Sequence, residues 1–263
     1  MEKPLKKKPT PAPTSWGKVA KWYDETVEQT GSYQQDLILP NLLRLMEIRK
    51  GERVLDLACG QGLFSRAFHA AGAKVIAADI SRELIDIGKE KSQKEIDFHV
   101  ASAHSLPFLA KGSIDKVAIV LALQNIEDMN ATLAECARVL TPRGRAYLVL
   151  NHPAFRIPKE SSWGFDEKSK VQYRRVDRYL SSLKIEVNMH PGSDTGEKTI
   201  SFHRPLQAYA KALAKQNFCI CRLEEWNSTR KSEKGPRAQA EDRARSEIPL
   251  FLTIEAQKMA TAS

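Results

Sequence analysis

Cysteine and long hydrophobic runs are both scarce in this chain of 263 residues. Its four cysteines, Cys59, Cys136, Cys219 and Cys221, lie far apart or in segments that we assign to the core. The Cys-x-Cys pair has no second pair and no neighbouring histidine, so we expect core packing rather than a metal site. Few, scattered thiols favour a reducing, cytoplasmic setting without disulfides. No apolar stretch is long enough to cross a membrane.

A signal peptide is also not expected. The lysines near the amino terminus are followed by no apolar run, and residues 1–14 are rich in lysine and proline. This composition predicts a disordered basic tail. The formal net charge of +9 leaves acidic partners such as RNA or anionic metabolites open.

The most informative stretch is VLDLACGQGLF, residues 54–64. It begins as a short apolar run, which indicates a buried strand, and passes through a tight glycine turn. Leu63, Ala67 and Ala70 then recur at helical spacing up to Gly72, which is a typical helix stop. Strand, glycine turn and helix together are typical of the nucleotide-binding half of a doubly wound sheet.

Two carboxylates indicate which nucleotide would bind. Asp56 precedes the turn, where an anion would repel a pyrophosphate but attract an ammonium group. Asp79 ends the next apolar run, where a carboxylate accepts hydrogen bonds from ribose hydroxyls. Ser65 occupies the third glycine position of the NAD-type pattern, so that pattern fails. An amino acid joined to an adenosine fits both carboxylates, which predicts S-adenosylmethionine.

Residues 54–64 with Asp79 resemble the cofactor site of the class I S-adenosylmethionine-dependent methyltransferases, and the similarity extends from about Trp16 to Gln257. It implies an enzyme with an α/β fold, a Rossmann-like doubly wound seven-stranded sheet, mostly parallel with an antiparallel last strand. It also implies an amino-terminal segment that caps the cofactor, through Tyr23 or Tyr33. The cofactor-binding residues expected are Tyr23, Asp56, Ala58, Cys59, Gly60, Gly62, Asp79, Ile80, Ser102, Ala103 and Leu121.

The chain then alternates between predicted strands and helices. We expect a helix from Ser81 to about Lys94, capped by Ser81, and another from Met129 to Leu140. The remaining strands are expected at residues 97–101, 114–123, 145–150, 218–226 and 249–256, with a helix starting at Pro205.

Residues 151–204 form the least generic segment. Their aromatic and arginine content favours a substrate lid, with a β-hairpin formed by residues 184–190 and 198–203. The predicted methyltransferase domain spans residues 15–257, with residues 227–247 as a mobile charged loop and 258–263 as a tail. The substrate-binding candidates are Tyr33, Gln124, Asn151, Tyr173, Arg174 and His203.

The catalytic candidate is His152, which follows a strand end that should line the ligand crevice. It could act as general base on a hydroxyl, or it could be a hydrogen-bonded loop histidine beside a proline. The motif typical of amine methylation on bases and the cysteine typical of cytosine methylation are both missing near residue 124. We therefore expect methyl transfer to an oxygen or nitrogen of a small molecule. RNA or protein methylation and a non-catalytic, cofactor-binding regulatory role remain alternatives.

Overall fold

The computed structural model describes residues 16, 20, 31–92, 94–189 and 196–260. The strands in these ranges are β1 Arg53–Leu57, β2 Lys74–Asp79, β3 Asp97–Val100, β4 Ile114–Val120, β5 Leu140–Asn151, β6 Ser161–Asp166, β7 Val171–Val176, β8 Leu183–Asn188, β9 Lys198–His203, β10 Phe218–Trp226 and β11 Phe251–Lys258. The helices are α1 Leu39–Met46, preceded by a π-helical turn Gln34–Ile38, α2 Leu63–Ala70, α3 Arg82–Lys91, α4 Met129–Val139, α5 Leu206–Lys215 and α6 Ala238–Glu247.

Seven strands form one sheet in the order β10-β11-β5-β4-β1-β2-β3. The pairs β3–β2, β2–β1, β1–β4 and β4–β5 are parallel, whereas β11 is antiparallel to both of its neighbours. The fold predicted from the sequence is thereby confirmed. The order along the sheet reverses between β1 and β4, and such a reversal opens a crevice at the carboxyl ends of the strands.

Both faces of the central strands are buried. Side chains along a strand alternate between its two faces, so each strand contributes to two core layers. Leu55 and Leu57 of β1 pack into the core layer that includes α4 and α5. Val54 packs into the opposite layer, with Phe64 and Phe68 of α2. Burial on both sides explains why these strands appear in the sequence as continuous apolar runs.

Helix α3 begins as predicted, because the backbone N–H of Leu84 donates to the Ser81 hydroxyl at 3.3 Å. The helix ends at Lys91, shorter than expected. Strand β5 is longer than the expected residues 145–150, because it already begins at Leu140.

The segment between β5 and α5 contains two hairpins. The predicted hairpin is present as β8 and β9, which pair in antiparallel register, although the expected end of its first strand at His190 lies outside the described residues. Strands β6 and β7 form a second hairpin, which the sequence pattern did not predict. The outer part of the Tyr173 ring lies over Gly164, in the space that a Cβ atom would occupy, so a larger residue there would displace this half-exposed ring.

The expected mobile loop at residues 227–247 contains helix α6. Of its side chains only Ala244 is buried, which is why the segment lacks a helical apolar pattern. Arg237, at its start, contacts the β6–β7 hairpin through an ion pair with Glu167 and lies 4.4 Å above the ring of Phe165. The prediction of a charged loop is therefore wrong for residues 238–247, which form a helix.

The expected core packing of Cys219 and Cys221 is also wrong, because both are exposed on the edge strand β10. All four cysteines are free thiols. Within the described ranges, no cluster of three His, Cys, Asp or Glu side chains could hold a metal ion. Nor does any helix of the described ranges have the length and apolar character to span a membrane. The predicted tail at residues 1–14 lies outside the described residues.

Candidate active site

A cavity of about 650 Å³ opens at the carboxyl ends of β1, β2 and β4, where the strand order reverses. Its size and location are typical of a small-molecule site in an open α/β sheet. Of the predicted cofactor residues, those that line it are Ala58, Gly60, Asp79, Ile80, Ser102, Ala103 and Leu121.

The backbone beside the reversal point has an unusual conformation. Ala58 after β1 and Leu121 after β4 have φ angles of 58° and 52°, and Gly60 has a φ of 57°. Only glycine adopts positive φ at low cost, so Ala58 and Leu121 are held there by the surrounding fold. Such strain concentrates where a backbone must approach a ligand closely, and both residues line the cavity.

Asp79 is positioned by the glycine turn and by the start of α3. One carboxylate oxygen accepts a hydrogen bond from the Gly60 backbone N–H at 2.9 Å, and the other accepts from Ser81 at 2.8 Å. A carboxylate has further lone pairs, so Asp79 can also accept from a diol in the cavity. Burial raises its pKa, and these backbone hydrogen bonds oppose that shift.

The cavity suits an adenosine-linked amino acid better than a dinucleotide. Among its described lining residues the only lysine or arginine is Lys184, which lies on the β8–β9 hairpin, away from the glycine turn. A pyrophosphate would therefore meet Asp79 without a basic side chain from the turn to offset its charge. The hydrogen-bond acceptors beside the turn, such as the Asp79 carboxylate, fit hydroxyls and an ammonium group.

Asp56 does not line this cavity, which corrects its predicted direct contact with the ammonium group. It is 1% exposed, and one of its oxygens accepts a hydrogen bond from the Ser65 hydroxyl at 2.5 Å. Burial raises the pKa of Asp56 to about 7. The carboxylate thus joins β1 to α2 from behind the turn.

Cys59 and Gly62 also lie behind the cavity wall. Cys59 is buried, and its backbone N–H donates to the carbonyl of Ala78. Gly62 begins α2 with a φ of 79°, and a Cβ there would lie 2.8 Å from the ring of Phe98. Both shape the turn instead of lining the cavity, and Tyr23 lies outside the described residues.

The β8–β9 hairpin and the loop after β4 form the other side of the cavity. The hairpin contributes Lys184, Thr199, Ile200 and Phe202, and the loop contributes residues 125–128. Trp16, from the segment before α1, also lines the cavity. Of the two hairpins in the predicted lid, only β8–β9 covers the crevice.

Gln124 and His203 were each predicted one position away from residues that line the cavity. Gln124 is buried, and its side-chain amide donates to the Leu121 carbonyl at 2.7 Å. His203 follows Phe202 on β9, so its side chain points to the opposite face of the hairpin. There its Nε2 donates to the Tyr179 carbonyl at 2.8 Å.

Tyr33 and Asn151 lie on the side of the sheet near β11. The Tyr33 hydroxyl is 2.9 Å from the Ser228 hydroxyl, and its ring packs edge-on against Phe251. Asn151 pairs with Phe251 in the ladder between β5 and β11. Neither residue lines the cavity, because the crevice opens on the other side of β4.

Tyr173 and Arg174 belong to the β6–β7 hairpin, which packs against α6. The Tyr173 ring lies across Gly164 and is 48% exposed. Arg174 donates to the Phe155 carbonyl and to the Ser161 hydroxyl, so its guanidinium is committed to the hairpin itself. Neither Tyr173 nor Arg174 therefore lies at the cavity, where a substrate contact was predicted.

His152 is held by hydrogen bonds on both sides of its ring. Its Nδ1 accepts from the backbone N–H groups of Ala154 and Phe155, so the proton lies on Nε2, which donates to Glu225 at 2.7 Å. The side chain is buried, does not line the cavity, and has its pKa lowered by burial. The structure therefore favours the second role predicted for His152, that of a hydrogen-bonded loop histidine.

The sequence pattern did not predict most of the cavity wall opposite the glycine turn. Residues 125–128 adjoin the predicted Gln124, and Lys184 and Phe202 lie on the predicted hairpin. The strict alternation of β9 could have indicated that Ile200 and Phe202 share one face. Which face meets the cavity could not be read from the local sequence.

Comparisons with known proteins agree with this geometry. A methyltransferase-domain family model matches residues 55–148. A demethylmenaquinone methyltransferase from Paenarthrobacter aurescens is 33% identical over 57% of this chain and 58% of its own length. A ubiquinone biosynthesis O-methyltransferase from Aromatoleum aromaticum is 32% identical over 62% of this chain and 71% of its own length.

The fold is shared with solved structures. A crystal structure of an S-adenosylmethionine-dependent methyltransferase from Mesorhizobium loti superposes with a TM-score of 0.66, at 25% identity over 82% of this chain and 96% of that one. The chain spans about 60% or less of the length of several curated relatives that it matches. The family model runs from Leu55 in β1 to Leu148 in β5, a range that includes the glycine turn and Asp79. The chain belongs to the class I S-adenosylmethionine-dependent methyltransferases.

Proposed function

We propose that this protein transfers a methyl group from S-adenosylmethionine to an oxygen or nitrogen of a small-molecule acceptor. The observation that carries the proposal is a single cavity bounded on one side by the cofactor turn and on the other by the β8–β9 hairpin. A cavity covered by a hairpin favours a small acceptor over a folded RNA or a protein surface. The relatives named as a demethylmenaquinone methyltransferase and as a ubiquinone biosynthesis O-methyltransferase support a small-molecule acceptor.

The protein's part in such a reaction is binding and orientation. The cofactor supplies an activated methyl group on a sulfonium. Asp79 would hold the ribose hydroxyls, and the strained backbone at Ala58 and Leu121 would let the cofactor approach closely. The hairpin residues would exclude water and align the acceptor with the methyl group, which is where most of the rate gain is expected.

The test is the loss of cofactor affinity in Asp79→Ala. The variant removes the acceptor for the ribose hydroxyls and should weaken S-adenosylhomocysteine binding by about 1.5–3 kcal/mol. Calorimetry measures this, and Asp86→Ala, an exposed acid on α3, is the control that should bind normally. Transfer of labelled methyl groups into a metabolite extract, compared with an RNA extract, reports the acceptor class. Binding of NAD but not of S-adenosylhomocysteine by the unaltered protein would refute the proposal.

A further inference from the structure

The inner face of the β8–β9 hairpin combines an aromatic ring with a cation. Lys184 and Phe202 are directly opposite each other in the antiparallel register, and Ile200 lies two residues before Phe202 on the same face. All three line the cavity. They belong to the side of the cavity that faces the cofactor turn, where an acceptor would lie.

Arg204 fixes this face in place. Its guanidinium donates to the carbonyl oxygens of Ile126 at 2.8 Å and Glu127 at 2.7 Å, which joins the base of the hairpin to the loop after β4. The Arg204 guanidinium carbon also lies 5.2 Å from the centroid of Phe202. Because its donors are engaged by backbone carbonyls, Arg204 serves as a positioning residue, not as a ligand contact.

The ring of Phe202 lies close to two cations. Lys184 Nζ is 5.5 Å from its centroid, comparable to the distance of Arg204. Cations near the π face make the electrostatic potential at the ring less negative. This favours contact with an electron-rich aromatic group. An acceptor with an aromatic ring fits this wall better than an aliphatic chain does.

Lys184 forms an ion pair that a bound anion can replace. Its Nζ lies 3.1 Å from Glu127 Oε1, and the two side chains are 55% and 72% exposed. An ion pair this exposed is weak, so an anionic group entering the cavity can replace Glu127 at little cost. Among the described lining residues no other lysine or arginine is available to such a group.

We infer that Lys184 and Phe202 form an acceptor subsite for an aromatic ring that carries an anionic oxygen, with Glu127 as the partner that this oxygen displaces. The inference rests on the proposed function, because it assigns the acceptor of the same site. Phe202 supplies the stacking surface and Lys184 supplies the charge. Preference for an anion over a neutral group of the same shape is the property that sets this subsite apart from a plain apolar wall.

The experiment compares 2-naphthoate with 2-naphthamide, which have nearly the same shape but differ in charge. Calorimetry is done on protein saturated with S-adenosylhomocysteine. The unaltered protein should bind the carboxylate about two- to fivefold more tightly than the amide. Lys184→Met should abolish that preference, Lys184→Arg should keep most of it, and Phe202→Leu should weaken both probes equally.

The matched control is Lys198→Met. Lys198 lies on the same hairpin and pairs with Glu186 at 2.8 Å, at similar exposure, but does not line the cavity. This variant should keep the preference, and Glu127→Gln should strengthen binding of the carboxylate alone. Equal binding of both probes, no saturable binding of either, or a preference that survives Lys184→Met would overturn the subsite. Cofactor saturation is measured first, so failure of the proposed function would be seen separately.

Discussion

Asp56 and Asp79 stand near the carboxyl ends of adjacent strands, yet their surroundings differ. Asp79 faces the cavity and is held by two backbone N–H groups. Asp56 faces inward, where its contact is the Ser65 hydroxyl. Burial is the largest influence on both pKa values, and it acts without a cationic partner in hydrogen-bonding contact with either carboxylate. Ionisation of Asp56 above neutral pH therefore lowers the stability of the folded protein.

Asp56→Asn should become more favourable as the pH rises. The pKa of Asp56 is about 7 in the folded protein, against an ordinary 3.8, so the folded state keeps a proton that the unfolded state releases. The free energy of unfolding of the unaltered protein then falls between about pH 4 and pH 7, by at most ~4 kcal/mol from this group. The asparagine lacks this titration and can still accept the Ser65 hydrogen bond.

Urea unfolding at about pH 5 and about pH 8 measures this effect. The stability of Asp56→Asn relative to the unaltered protein should increase from the lower to the higher pH. Asp86→Asn, at an exposed position of α3, should show no such trend. The same difference at both pH values would contradict a raised pKa at Asp56.

At the scale of elements, His152 connects the end of β5 to the edge strand β10. Its backbone N–H donates to the Leu250 carbonyl, its Nε2–H donates to Glu225, and its ring stacks on Phe155 at 4.7 Å. These contacts close the chain after β5 on the β11 side of the sheet. The crevice, in contrast, opens beside β4 and β1.

His152→Ala should therefore lower stability rather than turnover. Loss of these partly buried hydrogen bonds and of the buried imidazole ring should cost about 2–3 kcal/mol in the free energy of unfolding. Methyl transfer by the folded variant should stay within about twofold of normal, since His152 does not touch the cavity. Glu225→Gln, which keeps an acceptor for Nε2, is the milder comparison. A 10²–10⁴-fold loss of turnover at unchanged stability, of the size that loss of a general base brings, would instead restore a catalytic role for His152.

At the scale of the whole molecule, the excess of basic residues need not serve the acceptor site. The chain has 41 lysines and arginines against 32 acidic residues, and residues 1–14 contain four of the lysines. Many described cations are paired on the surface, such as Arg175 with Asp177 and Lys170 with Glu167. A small-molecule acceptor in a covered cavity would not depend on the remaining charge.

Deletion of residues 1–14 should leave transfer to a small-molecule acceptor within about twofold of normal, because phosphate contacts matter only for a nucleic-acid substrate. Turnover of labelled cofactor measures this. Replacement of the four lysines by glutamine separates the effect of charge from that of chain length. Tight RNA binding that weakens steeply with salt and disappears on deletion would favour the RNA alternative.

The cofactor half of this protein was determined by its sequence. Strand, glycine turn and helix follow one another within residues 53–70, so the periodicity and the glycines of that stretch indicate its structure directly. Asp79 ends the next strand, and parallel pairing brings it beside the turn. Local order and strand adjacency were sufficient for the glycine turn and Asp79, because β1, the turn, α2 and β2 follow one another directly in the chain.

The acceptor half was decided by the tertiary structure. Its wall forms where residues 125–128 meet the β8–β9 hairpin, which lies more than fifty residues further along the chain. Alternation along β9 places Phe202 in the cavity and turns His203 away, a difference of a single position. The position of His152 after β5 does not reveal its structural role. Whether this loop side chain is buried depends on β10 and β11, which come last in the sequence.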